Sequence, residues 1–185
     1  FVSEVSQEMP LLVICALMEM PSEDRKKFSD LVDIMLGMDD PEMMVSPEDG
    51  QVAGAQIFKI SMELAAKHKT NPTEGSVLDA LLNGVVEGES LSESEFCSFF
   101  LILIAGGVET TRTATSQGMR LLMEHPEQLQ MLVDDPSLIP NAVEEILRYY
   151  PSFIHMHRTA MEDVTIGDME IKKGDKVVLY YPSAN

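Results

Sequence analysis

Residues 92–123 read S-E-S-E-F-C-S-F-F-L-I-L-I-A-G-G-V-E-T-T-R-T-A-T-S-Q-G-M-R-L-L-M, and this stretch decides the fold. Ser92 and Glu95 stand three apart, the spacing at which a hydroxyl and a carboxylate reciprocally satisfy free N–H groups at a helix start. A helix is therefore predicted to begin here. From Phe96 to Val108 nearly every residue is apolar, which predicts a core helix buried all round. Glu109 and Arg112 follow so soon that the run falls short of the roughly 20 apolar residues a membrane span needs. No span is expected.

Inside this helix the composition changes. Gly106 and Gly107 each cost a helix interior about 1 kcal/mol relative to alanine, and Glu109 and Thr110 bring a carboxyl and a hydroxyl among apolar residues. At helical spacing Ile102, Ala105, Gly106, Glu109, Thr110 and Thr113 share one side. They form a stripe with a small-residue notch flanked by an acid and an alcohol. Such a notch admits something flat or bulky close to the backbone, while the acid and alcohol can pass protons or hold a water. A helix crossing is the competing reading, with the glycines admitting a neighbouring backbone and Thr110 bonding back to a carbonyl one turn earlier. The residues alone leave both open.

The segment A-G-G-V-E-T-T, Ala105 to Thr111, resembles the long central helix of the cytochrome P450 family, the haem-thiolate monooxygenases, where an (A/G)-G-x-(D/E)-T motif lies over the haem. The resemblance implies the P450 fold, mainly α with a small antiparallel β region. It implies that Ile102, Ala105 and Gly106 face the cofactor, and that Thr110 and Glu109 are the alcohol and acid of an oxygen-activation relay.

Two further signatures follow in order. In P-N-A-V-E-E-I-L-R-Y-Y-P, Pro140 to Pro151, Glu145 and Arg148 lie three apart on one helical face. Exposed pairs of this kind contribute only roughly 0.2–0.5 kcal/mol and are common. E-x-x-R ahead of Tyr-Tyr-Pro, a short helix after the glycine motif, is nevertheless similar to the family pattern, which implies a buried, structural ion pair. Beyond Pro151 the period becomes alternating: Val164 and Ile166, then Gly167-Asp168, then Met169 and Ile171, then Gly174-Asp175, then Val177 to Tyr181. Strands between Gly-Asp turns predict a small antiparallel sheet. Leading into it is F-I-H-M-H-R-T-A, Phe153 to Ala160. Within the resemblance Arg158, counted back from the K-K-G-D turn, reaches a haem propionate, a task suited to a planar bidentate donor. Phe153 and Ile154 would face the substrate. His155 and His157 form an H-x-H that could bind metal on a strand, but no third ligand accompanies it, where zinc takes at least three; no metal site is assigned.

The 185 residues suit one domain or a piece of a larger one. With 45% hydrophobic and 24% charged residues the chain can bury a core. A formal net charge of −18 argues against nucleic acid or anionic lipid as partner. Cys15 and Cys97 sit in apolar runs and read as reduced, buried thiols, which points to a cytoplasmic protein. No leader is visible, and the ends at Phe1 and Asn185 read as cut, so an internal fragment is expected.

Before the central helix, L-L-V-I-C-A-L-M-E-M forms a short helix between Pro10 and Pro21. A second, amphipathic helix is expected from a Ser22 cap to Gly37, with Phe28, Leu31, Val32, Met35 and Leu36 at three- and four-residue intervals. Asp39 to Asp49 reads as a mobile acidic loop. A helix from about Gly50 to His68 follows, with Ile57, Ile60, Met62, Leu64 and Ala65 inward, then a short apolar segment Val77 to Leu82. Within the resemblance the helices on either side of the acidic loop are similar to the lid helices over the substrate pocket. Many of the fourteen methionines lie here; they suit a plastic apolar pocket as well as ordinary core packing.

The expected organisation is a single-domain fragment of a soluble, bacterial-type member. Lid-type helices occupy 1–91, the central helix 92–124, the E-x-x-R region 126–151 and the β segment 152–185. The resemblance implies haem b as cofactor, O2, electrons from NAD(P)H through a ferredoxin or other electron-transfer protein, and hydroxylation of an apolar small molecule such as a sterol, terpenoid, fatty acid or alkane. Neither the F-x-x-G-x-x-x-C-x-G loop that carries the iron ligand nor a W-x-x-x-R segment occurs in the chain. Two rivals are a non-enzymatic, Met-rich helical module that binds an apolar ligand or partner helix, and a degenerate member that has lost haem.

Overall fold

Helices form where apolar residues recur every three or four positions, and their ends fall where a side chain or proline can serve the free backbone groups. The structure, a computed structural model, describes residues 1–37, 41–43, 45–86 and 88–184. The chain divides into two compact units, Phe1–Arg112 and Thr113–Asn185.

In the first unit a π turn, Val2–Ser6, leads into α1 (Glu8–Leu17). Helix α1 starts ahead of Pro10 rather than after it, because in a first turn the missing N–H has no carbonyl to serve. Helix α2 (Arg25–Leu36) starts from Asp24 without a side-chain cap. Ser22, expected as the cap, instead donates its hydroxyl to Glu23 Oε2 at 3.3 Å.

Helix α3 (Pro47–Thr70) begins three residues earlier than the sequence suggested. Ser46 Oγ accepts the Asp49 N–H at 3.0 Å and Pro47 takes the first helical position. The expected acidic loop therefore stops at Ser46; residues 41–43 form a turn, and residues 39, 40 and 44 lie outside the described residues. Helix α4 (Val77–Asn83) is capped by Ser76 Oγ, which accepts the Asp79 N–H at 3.0 Å. A hairpin of β1 (Val85–Val86) with β2 (Glu89–Ser90) follows; strands of two residues leave no alternation to read, so no strand is expected there.

Helix α5 (Glu93–Ile104) opens with the expected capping box. Ser92 Oγ accepts the Glu95 N–H at 3.3 Å, and Glu95 Oε2 accepts the Ser92 N–H at 2.8 Å. Ser92→Ala removes the acceptor and is expected to lower stability by about 1 kcal/mol in a urea titration; an unchanged midpoint would show that the cap contributes nothing here.

Helix α5 is not buried all round. Phe96, Cys97, Phe100, Ile104 and Val108 recur at three and four and are buried, whereas Phe99 is 41% and Ile102 68% exposed. The buried side meets α3 and α1, and its Phe100 ring lies 5.9 Å from Phe28 and 6.4 Å from Phe96. Around these rings the core gathers Ile14, Met18, Val32, Ile57 and Leu78. Both cysteines are free, buried thiols within it. Burial pushes the Cys15 thiol up, partly offset by the Arg25 guanidinium. By length and composition alone, the continuous helical stretch Glu93–Glu124 could cross a membrane. Its apolar half instead carries a side packed into this core, and its other half bears Arg112, Arg120 and Glu124.

The second unit begins within α6 (Thr110–Glu124), followed by α7 (Pro126–Asp134) and α8 (Ile139–Tyr149). Helices α6 and α8 meet where Gly118 faces Ile146; a Cβ on Gly118 would stand 3.0 Å from Ile146 Cδ1. The Arg120 guanidinium lies 5.7 Å above the Tyr150 ring. The expected single sheet is two antiparallel ladders. Strand β3 (His155–Thr159) pairs with β6 (Lys176–Tyr180), His155 opposite Tyr180. Strand β4 (Val164–Ile166) pairs with β5 (Met169–Ile171) across Gly167-Asp168, where Gly167 has φ +59°. The segment expected to lead into the sheet thus contains a strand of it.

Candidate functional site

Helix α5 passes into α6 through a five-residue π turn, Ala105–Glu109, at the glycine pair. Two adjacent glycines weaken the regular ladder, and Thr110 Oγ1 donates to the Gly106 carbonyl at 2.6 Å, competing with a backbone donor. Turns of this kind inside α-helices are frequent at functional sites.

The two glycines serve different neighbours. A Cβ on Gly107 would stand 3.0 Å from Ile14 Cδ1, so this glycine admits α1. A Cβ on Gly106 would meet nothing within 4 Å. The two positions therefore differ: Gly107 faces the Ile14 side chain of α1 rather than a neighbouring backbone, and Gly106 is open. Ala105 and Gly106 are exposed beside the outward Ile102, forming an apolar strip with almost no side chain at its centre.

Glu109 and Thr110 lie half-buried at the end of this strip. Arg112 Nη2 donates to Glu109 Oε1 at 2.7 Å and is in ion-pair contact with Oε2 at 2.6 Å; Oε2 is itself buried without a hydrogen bond of its own. The acid is thus held by its neighbour one turn on. From the sequence Arg112 was only the charge that ends the apolar run, although its three-residue spacing from Glu109 was the available signal.

In the second unit Arg148 grips Glu145 as a fork, Nε to Oε2 and Nη2 to Oε1, both at 2.7 Å. The pair holds the Glu145 carboxyl below its ordinary value and raises the Arg148 guanidinium. Burial, which the resemblance implied, is not seen: the side chains are 59% and 50% exposed. Helix α8 has no buried residue, and its apolar Ile139, Val143 and Leu147 are open as well. Arg158 lies in β3 opposite Val177, exposed, with Nη1 donating to the His157 carbonyl at 3.0 Å. Phe153 and Ile154 are 46% and 60% exposed, and the Ile154 carbonyl accepts the Tyr181 N–H at 3.1 Å. His155 and His157 are exposed on β3. Among the described residues no group of three or more His, Cys, Asp or Glu is placed to hold a metal ion. The structure therefore brings Gly106, Glu109 and Thr110 together in the first unit, and Glu145 with Arg148 in the second.

The sequence profile of the cytochrome P450 family matches residues 47–185. A steroid C26-monooxygenase of Rhodococcus jostii (strain RHA1) is 35% identical over 185 residues, covering all of this chain and 38% of that relative. A methyl-branched lipid omega-hydroxylase of Mycobacterium bovis is 34% identical, again over the whole chain and 43% of the relative. Among solved structures, a Mycobacterium marinum cytochrome P450 in complex with pseudoionone matches with TM-score 0.89 at 28% identity, over 99% of this chain and 45% of that one. A Bacillus megaterium protein in complex with testosterone also matches with TM-score 0.89 at 28% identity, over 99% and 49%. The chain spans 38% and 43% of the length of the two curated relatives. A likeness carried at first by a seven-residue motif extends to the helices, the strands and their order along the whole stretch, and the chain belongs to the cytochrome P450 family.

Proposed function

We propose that this chain forms part of the wall over a haem b in an enzyme that hydroxylates an apolar small molecule. The observation that carries this reading is the open space at Gly106, where a Cβ would meet nothing within 4 Å, on an exposed strip that ends at Thr110. A flat, largely apolar ring needs an apolar surface without projecting side chains. Ala105 and Gly106 offer one, with Ile102 at its edge. When bound, the haem would supply O2 binding and the oxidising power for hydroxylation, fed by electrons from NAD(P)H through a ferredoxin or another electron-transfer protein.

The chain's own residues then have distinct tasks. The Thr110 hydroxyl, anchored on the Gly106 carbonyl, presents its oxygen as an acceptor for a water above the strip. The Glu109 carboxyl passes a proton between solvent and that water, which is general acid work, and Arg112 fixes where it stands. Arg158 offers a planar fork to a propionate carboxylate. Glu145 and Arg148 hold local structure and take no part in the chemistry. Phe153 and Ile154 present apolar side chains to the substrate. Neither Cys15 nor Cys97 is placed to ligate the iron, since both thiols are buried in the first unit's core.

The relatives are named for a steroid and a methyl-branched lipid, and the matched structures hold testosterone and pseudoionone. These names support an apolar substrate of the sterol, terpenoid, fatty acid or alkane kind, and a cytoplasmic protein of bacterial type fits them. The organisation that goes with this reading has lid helices over 1–91 and the E-x-x-R and β segments after the central helix. The test is Thr110→Ala in the full-length holoenzyme. Haem content and the thiolate-type absorbance shift of the reduced protein under carbon monoxide should stay as in the parent, while product formed per NAD(P)H consumed falls. Unchanged coupling would remove Thr110 from the relay.

A further inference from the structure

Away from the glycine strip, the first unit buries a polar cluster around His68. The His68 side chain, near the end of α3, is 3% exposed. Its Nδ1 lies 3.2 Å from Glu19 Oε2 and its Nε2 lies 3.2 Å from Asp79 Oδ1. The three residues come from the turn after α1, the end of α3 and the first turn of α4.

Donor counting sets the charge of the ring. An ionised carboxylate only accepts, and a neutral imidazole has one N–H and one lone pair. A neutral His68 could serve one carboxylate and would turn a lone pair towards the other. Hydrogen-bond donors reach both carboxylates, although Glu19 Oε1 is buried without one. Asp79 also accepts from Asn83 Nδ2 at 2.7 Å and from the Gly75 N–H at 3.2 Å, and Glu19 accepts from Thr73 Oγ1 at 3.2 Å. We propose that His68 is a buried imidazolium locking the α3–α4 connection onto the end of α1, and that rising pH opens the lock by taking one ring proton.

The backbone at Glu19 closes α1. Glu19 has φ +54°, a left-handed conformation unfavourable for a residue with a side chain. It is a left-handed helix ending, with the Met20 N–H reaching back to the Cys15 carbonyl at 2.8 Å, and it leaves the carboxylate beside His68 and Thr73. A small pocket of about 60 Å³ lies against the cluster, lined by Glu19, Lys67, His68, Asn71 and Thr73 among others, and gives the ring a route to water. Lys67 is the other charged group on that pocket.

The electrostatics agree with the geometry. Burial opposes the charged ring, but the hydrogen bonds and charges of Asp79 and Glu19 outweigh it and His68 titrates above its ordinary 6.5. The Ser76 hydroxyl, then His68 and Thr73, hold Glu19 below its ordinary 4.5. The Gly75 N–H, then His68, hold Asp79 below 3.8. A raised histidine contributes stability that is complete below pH 6.5 and is lost as pH climbs through the folded value. The lowered carboxylates contribute stability above their ordinary values, lost as pH falls through the folded ones. The lock is therefore tightest in the mildly acidic window between these ranges, and its alkaline release belongs to His68 alone.

This inference does not depend on haem chemistry, and its test reads neither turnover nor cofactor. Hydrogen exchange of residues 64–83 is followed in the full-length holoenzyme from below pH 6.5 to well above it, corrected for intrinsic exchange. The local opening constant should rise about tenfold for each pH unit by which the folded His68 value exceeds the free one. His68→Gln, which keeps one donor and does not titrate, should give a flat profile. NMR titration of labelled histidine in the unmodified protein is independent of how that variant folds, and His68 should titrate above 6.5. A His68 that titrates at or below 6.5, or a His68→Gln protein with the parent's pH profile, would overturn the proposal.

Discussion

Phe100→Ala in the full-length protein is expected to lower the free energy of unfolding by about 3–5 kcal/mol. Phe100 is fully buried, and it touches two aromatic partners, Phe28 at 5.9 Å from α2 and Phe96 at 6.4 Å from its own helix. The loss has two sources: the transfer free energy of the ring and the cavity left among side chains that relax only partly. Aromatic pairing adds about 0.5–1.5 kcal/mol. Against a typical domain stability of about 5–15 kcal/mol this is a large fraction. Phe99→Ala is the control, since Phe99, the preceding residue in the same helix, is 41% exposed. Its cost should be a small part of that for Phe100. Urea midpoints at constant slope measure both, and equal losses would mean that the buried side of α5 has been assigned wrongly.

Gly106→Val and Gly107→Val should fail in opposite ways. A Cβ at position 106 meets nothing within 4 Å, so the fold itself tolerates valine, and stability should change by no more than about 1 kcal/mol. With haem against the strip, the same branched side chain stands where the ring must come. Overpacking of about 1–3 kcal/mol then reduces haem retention or product formation by about tenfold or more. At position 107 the added side chain instead meets Ile14 Cδ1 at 3.0 Å, so the cost falls on the packing of α1 and appears in the urea midpoint. Haem content by absorbance and unfolding by circular dichroism separate the two. A Gly106→Val protein with full haem content and full turnover would exclude the strip as the haem surface.

Local chemistry was legible in the sequence, and long-range pairing was not. The Ser92 and Glu95 box and the Glu145 and Arg148 fork each join residues three apart, a distance helical geometry makes readable. Which side of α5 is buried was not readable, because Phe96 to Val108 is apolar all round and carries no period to choose a face. Exposure of the Glu145 and Arg148 pair is likewise set by what surrounds α8, not by its own residues. His68 falls at the end of the inward series Ala53, Ile57, Ser61, Leu64 on α3, which signals its burial. Its partners lie 49 and 11 residues away, and no local pattern announces them. The role assigned to Arg158 came from the family likeness alone; on composition it is one exposed strand arginine among neighbours.

The π turn between α5 and α6 has a consequence for phase. A regular helix advances about 100° per residue, so one extra residue in a turn shifts the residues just after it by roughly that angle. The stripe that α5 sinks into the core therefore cannot be extrapolated past Glu109, and Thr110 points where an uninterrupted rod would have aimed a neighbouring position. The insertion works as an angular offset at the end of the first unit, so that Thr110 to Arg112 are aimed separately from the face that α5 packs.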